Sequence, residues 1–259
     1  MSNPTYVSLA DVVGEVRAGF ACGDEDPNGV FQIRMNNVTR TGSLDLTKRR
    51  RVPSDLMPVN VSKLDTNDVL FNATNSPDLV GKTALFPGLD EVTVYSNHFL
   101  RLRAKPDQLI PGYLTYWLQS QYHKGTFRSM CKQWVNQATV AKESLLALKI
   151  PLLPIVEQGQ VVQALDSVNG IRAKRRKAVA LLDDLVESIF LDMFGDPQEN
   201  PYQWTTATLS NLADPDDRIN YGVVQPGDDY KGGIPLVRAG DLTNGHIDRS
   251  AVKKIDPKD

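Results

Sequence analysis

The fold is decided by residues 154–197, which read PIVEQGQVVQALDSVNGIRAKRRKAVALLDDLVESIFLDMFGDP. Pro154 suits the first turn of a helix, no proline follows before Phe194, and Gly195-Asp196-Pro197 is typical of a helix end. Between these limits, mostly apolar positions recur in a 4-3 rhythm, the spacing of a helix that packs along a second helix. The positions are Val161, Leu165, Val168, Arg172, Arg175, Val179, Leu182, Val186, Ile189 and Met193.

This helix is longer than a small domain needs. About 38 residues at ~1.5 Å per residue span about 57 Å. We therefore predict a long coiled-coil-forming helix that lies against a partner helix. The predicted packing residues are Val161, Leu165, Val168, Leu182, Val186, Ile189 and Met193.

The chain before this helix predicts a strand-rich α+β domain. Short alternating apolar runs punctuated by Gly, Pro and Asn predict strands at 69–71, 82–86, 92–94 and 98–102. Residues 111–121 predict a helix instead, because Tyr113, Leu114, Trp117 and Leu118 share one side.

The chain after the helix repeats its beginning. Leu9-Ala10-Asp11-Val12 has its counterpart in Leu209-Ser210-Asn211-Leu212. The stretch 29–45 matches the stretch that starts at Gly233, with one residue fewer in the turn. The chain therefore carries one whole module and the opening of another.

Composition limits the class of protein. With 259 residues, 41% hydrophobic and 23% charged, the chain falls in the range of one or two globular domains. The net charge of −2 argues weakly against nucleic-acid binding, but Lys48-Arg49-Arg50-Arg51 and the cations of 172–177 are concentrated locally. With no apolar stretch of about 18 residues and no signal peptide, a cytoplasmic protein without a membrane segment is expected.

Two cysteines, Cys22 and Cys131, lie far apart in sequence. Neither a disulfide framework nor a Cys-x-x-Cys metal site can be built from them. The histidines His98, His123 and His246 show no ligand spacing either. No metal site is therefore predicted.

Several strings, in order, resemble the DNA-specificity subunits of type I restriction-modification systems. Asn136 to Leu145 followed by Leu148-Lys149-Ile150-Pro151 is similar to the end of that family's target-recognition domain, and Pro154-Ile155-Val156-Glu157-Gln158 to the start of its long helix. Other matching strings are Asp68-Val69-Leu70, Gly81-Lys82, Asn97 to Arg103, Leu181 to Leu185, Ser188-Ile189-Phe190 and Met193 to Pro197.

The resemblance implies a division of labour. A subunit of this kind selects double-stranded DNA and is not an enzyme, while methyltransferase subunits modify adenine and a restriction or motor subunit cleaves. No cofactor is expected in this chain; S-adenosylmethionine, ATP and Mg are expected on the partner subunits. Two recognition domains read the halves of a bipartite target, and paired long helices set their separation.

The resemblance also implies boundaries. Residues 1–150 are a target-recognition domain, 151–197 a spacer and dimerisation helix, and 198–259 a partial second target-recognition domain. A full-length member completes the second domain and adds a second long helix. The chain is therefore truncated, an engineered piece, or a half-subunit that forms a homodimer.

Loops of the first domain supply the candidate DNA contacts. Arg40 and Lys48-Arg49-Arg50-Arg51 flank a turn, where cations contact phosphates or pair with guanine; a solvated loop is the alternative. Asn72 and Asn75 suit hydrogen bonds to adenine edges or phosphates, and turn chemistry is the alternative. Lys132, Gln133 and Asn136 interleave charge and amide groups near Trp134, which we expect in the core.

Three other interpretations stay open. The cations of 172–177 form either a solvated helix face or a contact with spacer DNA or a methyltransferase subunit. A stand-alone DNA methyltransferase or nuclease would rest on Asn3-Pro4-Thr5-Tyr6, or on Pro215-Asp216 with Asp229-Tyr230-Lys231. A helical adaptor would join two protein-binding domains.

Overall fold

The chain folds into an α+β unit, a long helix and a set of short elements after it. The computed structural model describes residues 4–134, 137–216, 219, 222–223, 225–243, 245–247, 249 and 252–257. In chain order the elements up to the long helix are β1 (Thr5–Ser8), α1 (Leu9–Val12), β2 (Val13–Ala18), β3 (Val30–Ile33), β4 (Arg51–Val52), α2 (Met57–Val61), β5 (Val69–Asn72), β6 (Thr74–Asn75), β7 (Thr83–Leu85), β8 (Thr93–Tyr95), β9 (Phe99–Ala104), α3 (Pro111–His123), α4 (Thr126–Met130), β10 (Lys132–Trp134), β11 (Gln137–Thr139), α5 (Lys142–Leu146), β12 (Lys149–Leu152) and α6 (Ile155–Phe194). All the strands and both helices predicted from local pattern are confirmed, with ends shifted by at most two residues.

The apolar run in β5 is buried on both faces. It lies inside an antiparallel sheet of order β2-β9-β5-β7. Val69 and Phe71 face a core that includes Leu114 of α3, whereas Leu70 faces a second core with Phe31 and its neighbours in the sheet β4-β3-β8. A strand covered on both sides needs apolar residues at consecutive positions, which is why this run does not alternate.

Two of the strings that carry the family resemblance meet in space. Arg103 of β9 donates from Nε to Oδ1 of Asp68 at 2.7 Å, and Asp68 directly precedes β5. Hydrogen bonding to Asp68 is the largest cause that raises the pKa of Arg103, so the guanidinium stays charged. The pair joins the two inner strands of the sheet, β9 and β5, next to the paired residues Val69 and Leu102.

A second, three-stranded sheet has the order β10-β11-β6. It begins where the chain leaves β5 at Asn72, so that β6 continues the same segment in a different sheet. The first and last strands of the domain also pair with each other: β1 is antiparallel to β12, with Val7 opposite Ile150. The domain is therefore closed just before α6 begins.

The long helix α6 is confirmed, with 40 residues from Ile155 to Phe194. Its first turns pack on the domain: Gln158 is fully buried, and Val161 and Val162 pack against the core. From Gln163 to Phe194 its residues are exposed. Among the described residues, no helix is long and apolar enough to cross a membrane.

The chain divides into two units, 1–181 and 182–259, with the division inside α6. The second unit holds α7 (Leu209–Leu212), β13 (Ile234–Leu236), β14 (Leu242–Thr243), β15 (His246–Ile247) and β16 (Lys253–Ile255). Because the division does not test the boundaries at 150 and 197, these boundaries stay predictions.

Local geometry after Thr208 resembles local geometry after Ser8. Both residues precede a four-residue helix, α7 and α1. Further on, a 3₁₀ turn at Met35–Asn37 follows β3, and another at Ala239–Asp241 follows β13. In each turn the third residue's side-chain oxygen accepts from the backbone N–H before the turn, at 2.8 Å to Arg34 and 2.8 Å to Arg238. The matched sequences thus adopt matched local structures.

Candidate nucleic-acid interface

The basic run 48–51 is tied to the domain by one carboxylate. Glu91 accepts from Arg51 Nη2 through Oε2 at 2.5 Å and pairs with Arg49 through its other oxygen. The Arg49 guanidinium lies 4.6 Å from the ring centre of Phe31, a cation–π distance. Because one negative charge faces two positive ones, the cluster retains a net positive charge at a partly exposed surface.

Arg50 serves the fold. Its side chain is 14% exposed, and it donates to the carbonyls of residues 22–24 and to Glu25 at 2.8 Å. Because most N–H donors of this guanidinium bind its own loop, few remain to contact a phosphate or a base. Lys48 differs, because its side chain is 63% exposed and lies 3.9 Å from Asp45.

Arg40 lies in the turn that joins Val38 to Leu44, two residues linked by an isolated β-bridge. It is exposed, and no ion pair joins it to a carboxylate in the part of the chain that the structure describes. Below the turn, Lys82 Nζ donates to the carbonyls of Met35, at 2.9 Å, and Val38. Burial and the Arg40 charge lower the pKa of Lys82. Lys82 therefore supports the turn that presents Arg40.

The sequence placed Lys82 in a predicted strand and in a family string, but its role below the turn was not predicted. The available signal was a lysine beside an apolar strand run, since such a residue needs partners when the strand is buried.

Asn72 requires a correction. We predicted a DNA contact, but its side chain is fully buried. Its Nδ2 donates to the carbonyls of Thr74 at 3.2 Å and His98 at 3.1 Å, and its Oδ1 accepts from Asn75 Nδ2. Every hydrogen of the amide is used inside the protein. Asn72 therefore shapes the point where β5 passes into β6 and offers nothing to a ligand.

The sheet β10-β11-β6 brings together candidates that are about 60 residues apart in sequence. Asn75 lies in β6 opposite Ala138, and the exposed Lys132 lies in β10 opposite Thr139. The hydroxyl oxygens of Thr74 and Thr139 are 3.2 Å apart and join β6 to β11. The sheet therefore presents the half-buried Asn75 and the exposed Lys132 on two of its three strands, β6 and β10.

Gln133 lies in β10 of the same sheet, and Asn136 is three residues further along the sequence. The Gln133 backbone pairs with Ala138. Its side chain, that of Trp134, and the whole of Asn136 lie outside the described residues, so their contact predictions stay predictions.

The predicted packing face of α6 is largely exposed. Six of the seven apolar candidates are 38% to 71% exposed: Leu165, Val168, Leu182, Val186, Ile189 and Met193. Val161 is the exception, because it is half-buried against its own domain. Within the first unit, Leu165 and Val168 line a groove of about 860 Å³ between α6, α3 and the turn 41–46.

Two residues of the strings behind the enzyme alternatives, Tyr6 and Asp229, make contacts that belong to the fold. Tyr6 is paired with Pro151 between β1 and β12, and Asp229 Oδ1 accepts from the Lys254 backbone N–H at 2.9 Å. The described residues contain no group of three His, Cys, Asp or Glu side chains that could hold a metal ion.

These features define a strand-rich α+β domain with polar hairpins, followed by a long helix with an exposed apolar face. Residues 35–180 match the sequence model of the type I restriction modification DNA specificity domain. The chain belongs to this family. The match spans the loops of Arg40 and Lys132 as well as the docked turns of α6.

Two similar proteins are named as specificity subunits of type I restriction enzymes. The chain is 42% identical, over an alignment of 277 positions, to the EcoBI type I restriction enzyme specificity subunit of Escherichia coli, covering 95% of this chain and 54% of that protein. It is 27% identical over 188 residues to a Methanocaldococcus jannaschii protein predicted to be the MjaX specificity subunit, covering 72% and 44%. The chain thus spans about half the length of the curated relatives it matches.

The fold is also similar to solved structures. The S subunit of the type I restriction-modification system from M. genitalium has a TM-score of 0.52 at 13% identity, with 75% of this chain and 47% of that chain covered. At this identity the likeness concerns the fold alone.

Proposed function

We propose that this chain recognises a DNA sequence for a type I restriction-modification complex and catalyses nothing itself. In the cytoplasm it directs adenine methylation by methyltransferase subunits, and restriction by a motor subunit, to a bipartite target. The observation that carries the proposal is the family match over residues 35–180, which covers the DNA-contact candidates.

The candidates divide by the chemistry of their side chains. Arg40, Lys48 and Arg49 are exposed or half-exposed cations suited to phosphates. Asn75 belongs to β6 and Gln133 to β10, and together with Asn136 they carry amide groups that can pair with base edges. Lys132 and Arg51 complete the set as contributors of positive charge. We expect phosphate contacts to dominate affinity and the hairpin sheet to dominate sequence preference.

We also propose that 198–259 is the start of a second recognition domain. The matched turns at Met35–Asn37 and Ala239–Asp241 support it, as does the antiparallel pairing of the preceding strand in both copies, β3 with β4 and β13 with β16. A second domain would read the other half of the target.

If the protein is a half-subunit that forms a homodimer, we propose that α6 pairs antiparallel with α6 of a second copy. Its predicted face is symmetric about Lys177, so antiparallel pairing aligns every position with another one. A parallel in-register pair would instead set Arg172 against Arg172. The antiparallel pairs are Val161 with Met193, Leu165 with Ile189, Val168 with Val186, Arg172 with Leu182, and Arg175 with Val179.

The test is methylation of random-sequence DNA by the chain with its cognate methyltransferase subunits, with modified adenines located by sequencing. We expect one split motif that disappears when the chain is omitted. Random or chain-independent modification would contradict the proposal. Metal- or cofactor-dependent turnover by the isolated chain would establish the enzyme alternative, and absence of DNA binding in the assembled complex would favour the adaptor.

A further inference from the structure

The start of α6 is joined to the start of α3 through one buried amide. Gln158 is fully buried, and its Oε1 accepts from the backbone N–H of Ile110 at 2.9 Å. Its Nε2 donates to the carbonyls of Gln108 at 2.9 Å and Leu153 at 2.8 Å. Ile110 is the N-cap residue of α3 and has no capping side chain of its own. The amide therefore ties both helix starts together.

A second contact lies about two turns further along α6. Tyr116 of α3 donates from its hydroxyl to Asp166, and Asn169 Nδ2 donates to the same hydroxyl oxygen at 3.1 Å. Burial is the largest cause that raises the pKa of Tyr116, and the Asp166 hydrogen bond adds to it, so the hydroxyl keeps its proton. The hydroxyl thus acts as donor and acceptor at once.

Between these contacts the two helices touch closely. A side-chain carbon built at Gly112 of α3 would lie 3.1 Å from Val162 Cγ1, so a larger residue there would require the Val162 side chain to shift. Gln158, Val162, Asp166 and Asn169 follow at intervals of four, four and three residues. This spacing places them on one face of α6. Contacts therefore extend over about three turns, enough to fix a direction as well as a position.

We propose that Gln158 and Tyr116 form a clamp that fixes the angle at which α6 leaves the recognition domain, and so selects the spacing between the two parts of the DNA target. The inference rests on the proposed function, since it needs a bipartite target. One base pair more in the spacer moves and rotates the distal half-site. A domain held at one angle tolerates this change poorly, whereas a domain that swivels on its helix follows it. Both are positioning residues that do not touch DNA.

The test uses the assembled complex with methyltransferase subunits. Spacer length is varied around the wild-type target with both half-site sequences kept, and adenine methylation is counted by sequencing. The variants are Tyr116→Phe, which removes only the hydroxyl, and Gln158→Glu, which keeps an acceptor but removes the donor. Tyr6→Phe removes an exposed hydroxyl elsewhere in the domain and is the matched control. Because Gln158 is buried, Tyr116→Phe is the variant on which the test depends.

We expect Tyr116→Phe to raise methylation at spacers one base pair shorter or longer roughly three- to ten-fold, because the hydroxyl's hydrogen bonds to Asp166 and from Asn169 are both lost, with unchanged half-site sequences. Tyr6→Phe is expected to behave as the wild type. Unchanged spacer preference in both clamp variants, or the same change in Tyr6→Phe, would overturn the inference. So would loss of half-site preference.

A second measurement does not depend on DNA. Spin labels at Ser54→Cys on the domain and Ala178→Cys on α6, with Cys22 and Cys131 replaced by serine, report the distance distribution between them. A broader distribution in Tyr116→Phe than in the wild type supports the clamp, and equal widths overturn it. If the wild-type complex methylates no split motif, the proposed function fails and the inference about spacing fails with it, while the label distances still show whether the clamp exists.

Discussion

The side-chain amide of Asn75 donates a hydrogen bond of 2.5 Å to the side-chain oxygen of Asn72, which has no exposed surface. A buried residue thereby orients a half-buried one at the edge of the hairpin sheet. Asn72 cannot touch DNA, yet it determines where Asn75 lies. The two asparagines that looked equivalent in the sequence have different roles.

The first prediction separates these roles. Asn72→Asp keeps an oxygen for Asn75 but loses the donor to two carbonyls and buries a charge, so we expect a loss of about 3 kcal/mol in unfolding free energy. Asn75→Ala should cost less than about 1 kcal/mol and change the methylated sequence instead. Urea unfolding and methylation sequencing measure the two effects. Equal stability losses would contradict the assignment.

The second prediction concerns Glu91. Glu91→Gln removes the charge that holds Arg49 and Arg51. We expect tighter non-specific DNA binding, because the freed arginines contact phosphates. The slope of log K, where K is the DNA association constant, against log salt concentration should become more negative by roughly 1 to 2. Titrations at several salt concentrations measure it. Glu143→Gln makes the same charge change at an exposed position, and an equal effect there would rule out a specific role for Glu91.

The third prediction contrasts two arginines. Arg40→Ala should weaken binding to all DNA sequences and lower the salt slope by about 1, with little change in stability. Arg50→Ala should lower the unfolding free energy by about 2 kcal/mol, because the carbonyls of 22–24 lose a charged donor. Binding titrations and urea unfolding of both variants check this. A stability loss confined to Arg40→Ala would reverse the assignment.

The fourth prediction concerns the open face of α6. Ile189→Glu should abolish helix pairing, since a carboxylate would be buried opposite an apolar residue without a partner. Ser188→Glu adds the same charge one residue away, off the packing face, and should leave pairing intact. Sedimentation equilibrium measures assembly, and methylation sequencing of whatever complex still forms measures preference. Loss of assembly in both variants would show that charge alone is responsible.

The fifth prediction is a pH dependence. Burial, and then the charge of Arg34, lower the pKa of His98 in the folded chain. The unfolded chain, with a histidine pKa of about 6.5, then binds the proton more readily. The associated stability is therefore present above pH ~6.5 and declines as the pH falls from there towards the folded pKa. Urea unfolding at pH 7.5 and 5.5 should show a smaller decline in His98→Asn. If His123→Asn reduced the decline in unfolding free energy by the same amount, the decline could not be assigned to His98.

Local pattern was enough to predict most elements. The 4-3 spacing between Val161 and Met193 and the residues at its ends predicted α6, because helix periodicity is a property of consecutive residues. The unbroken apolar run at Val69 predicted β5 for the same reason. The similarity between the stretches after Gly29 and Gly233 also predicted matched local structures, which the turns before Val38 and Leu242 show.

What the sequence determined by itself, then, were the elements, the repeat and the family strings. The tertiary structure alone decided which candidates are accessible: Glu91 reaches Arg49 and Arg51 from about 40 residues away, and Asn72 is enclosed by Thr74, Asn75 and the His98 carbonyl. It also decided that Gln158 joins α6 to α3. Such contacts follow from how sheets and helices pack, and packing brings together residues that no periodicity in the chain connects.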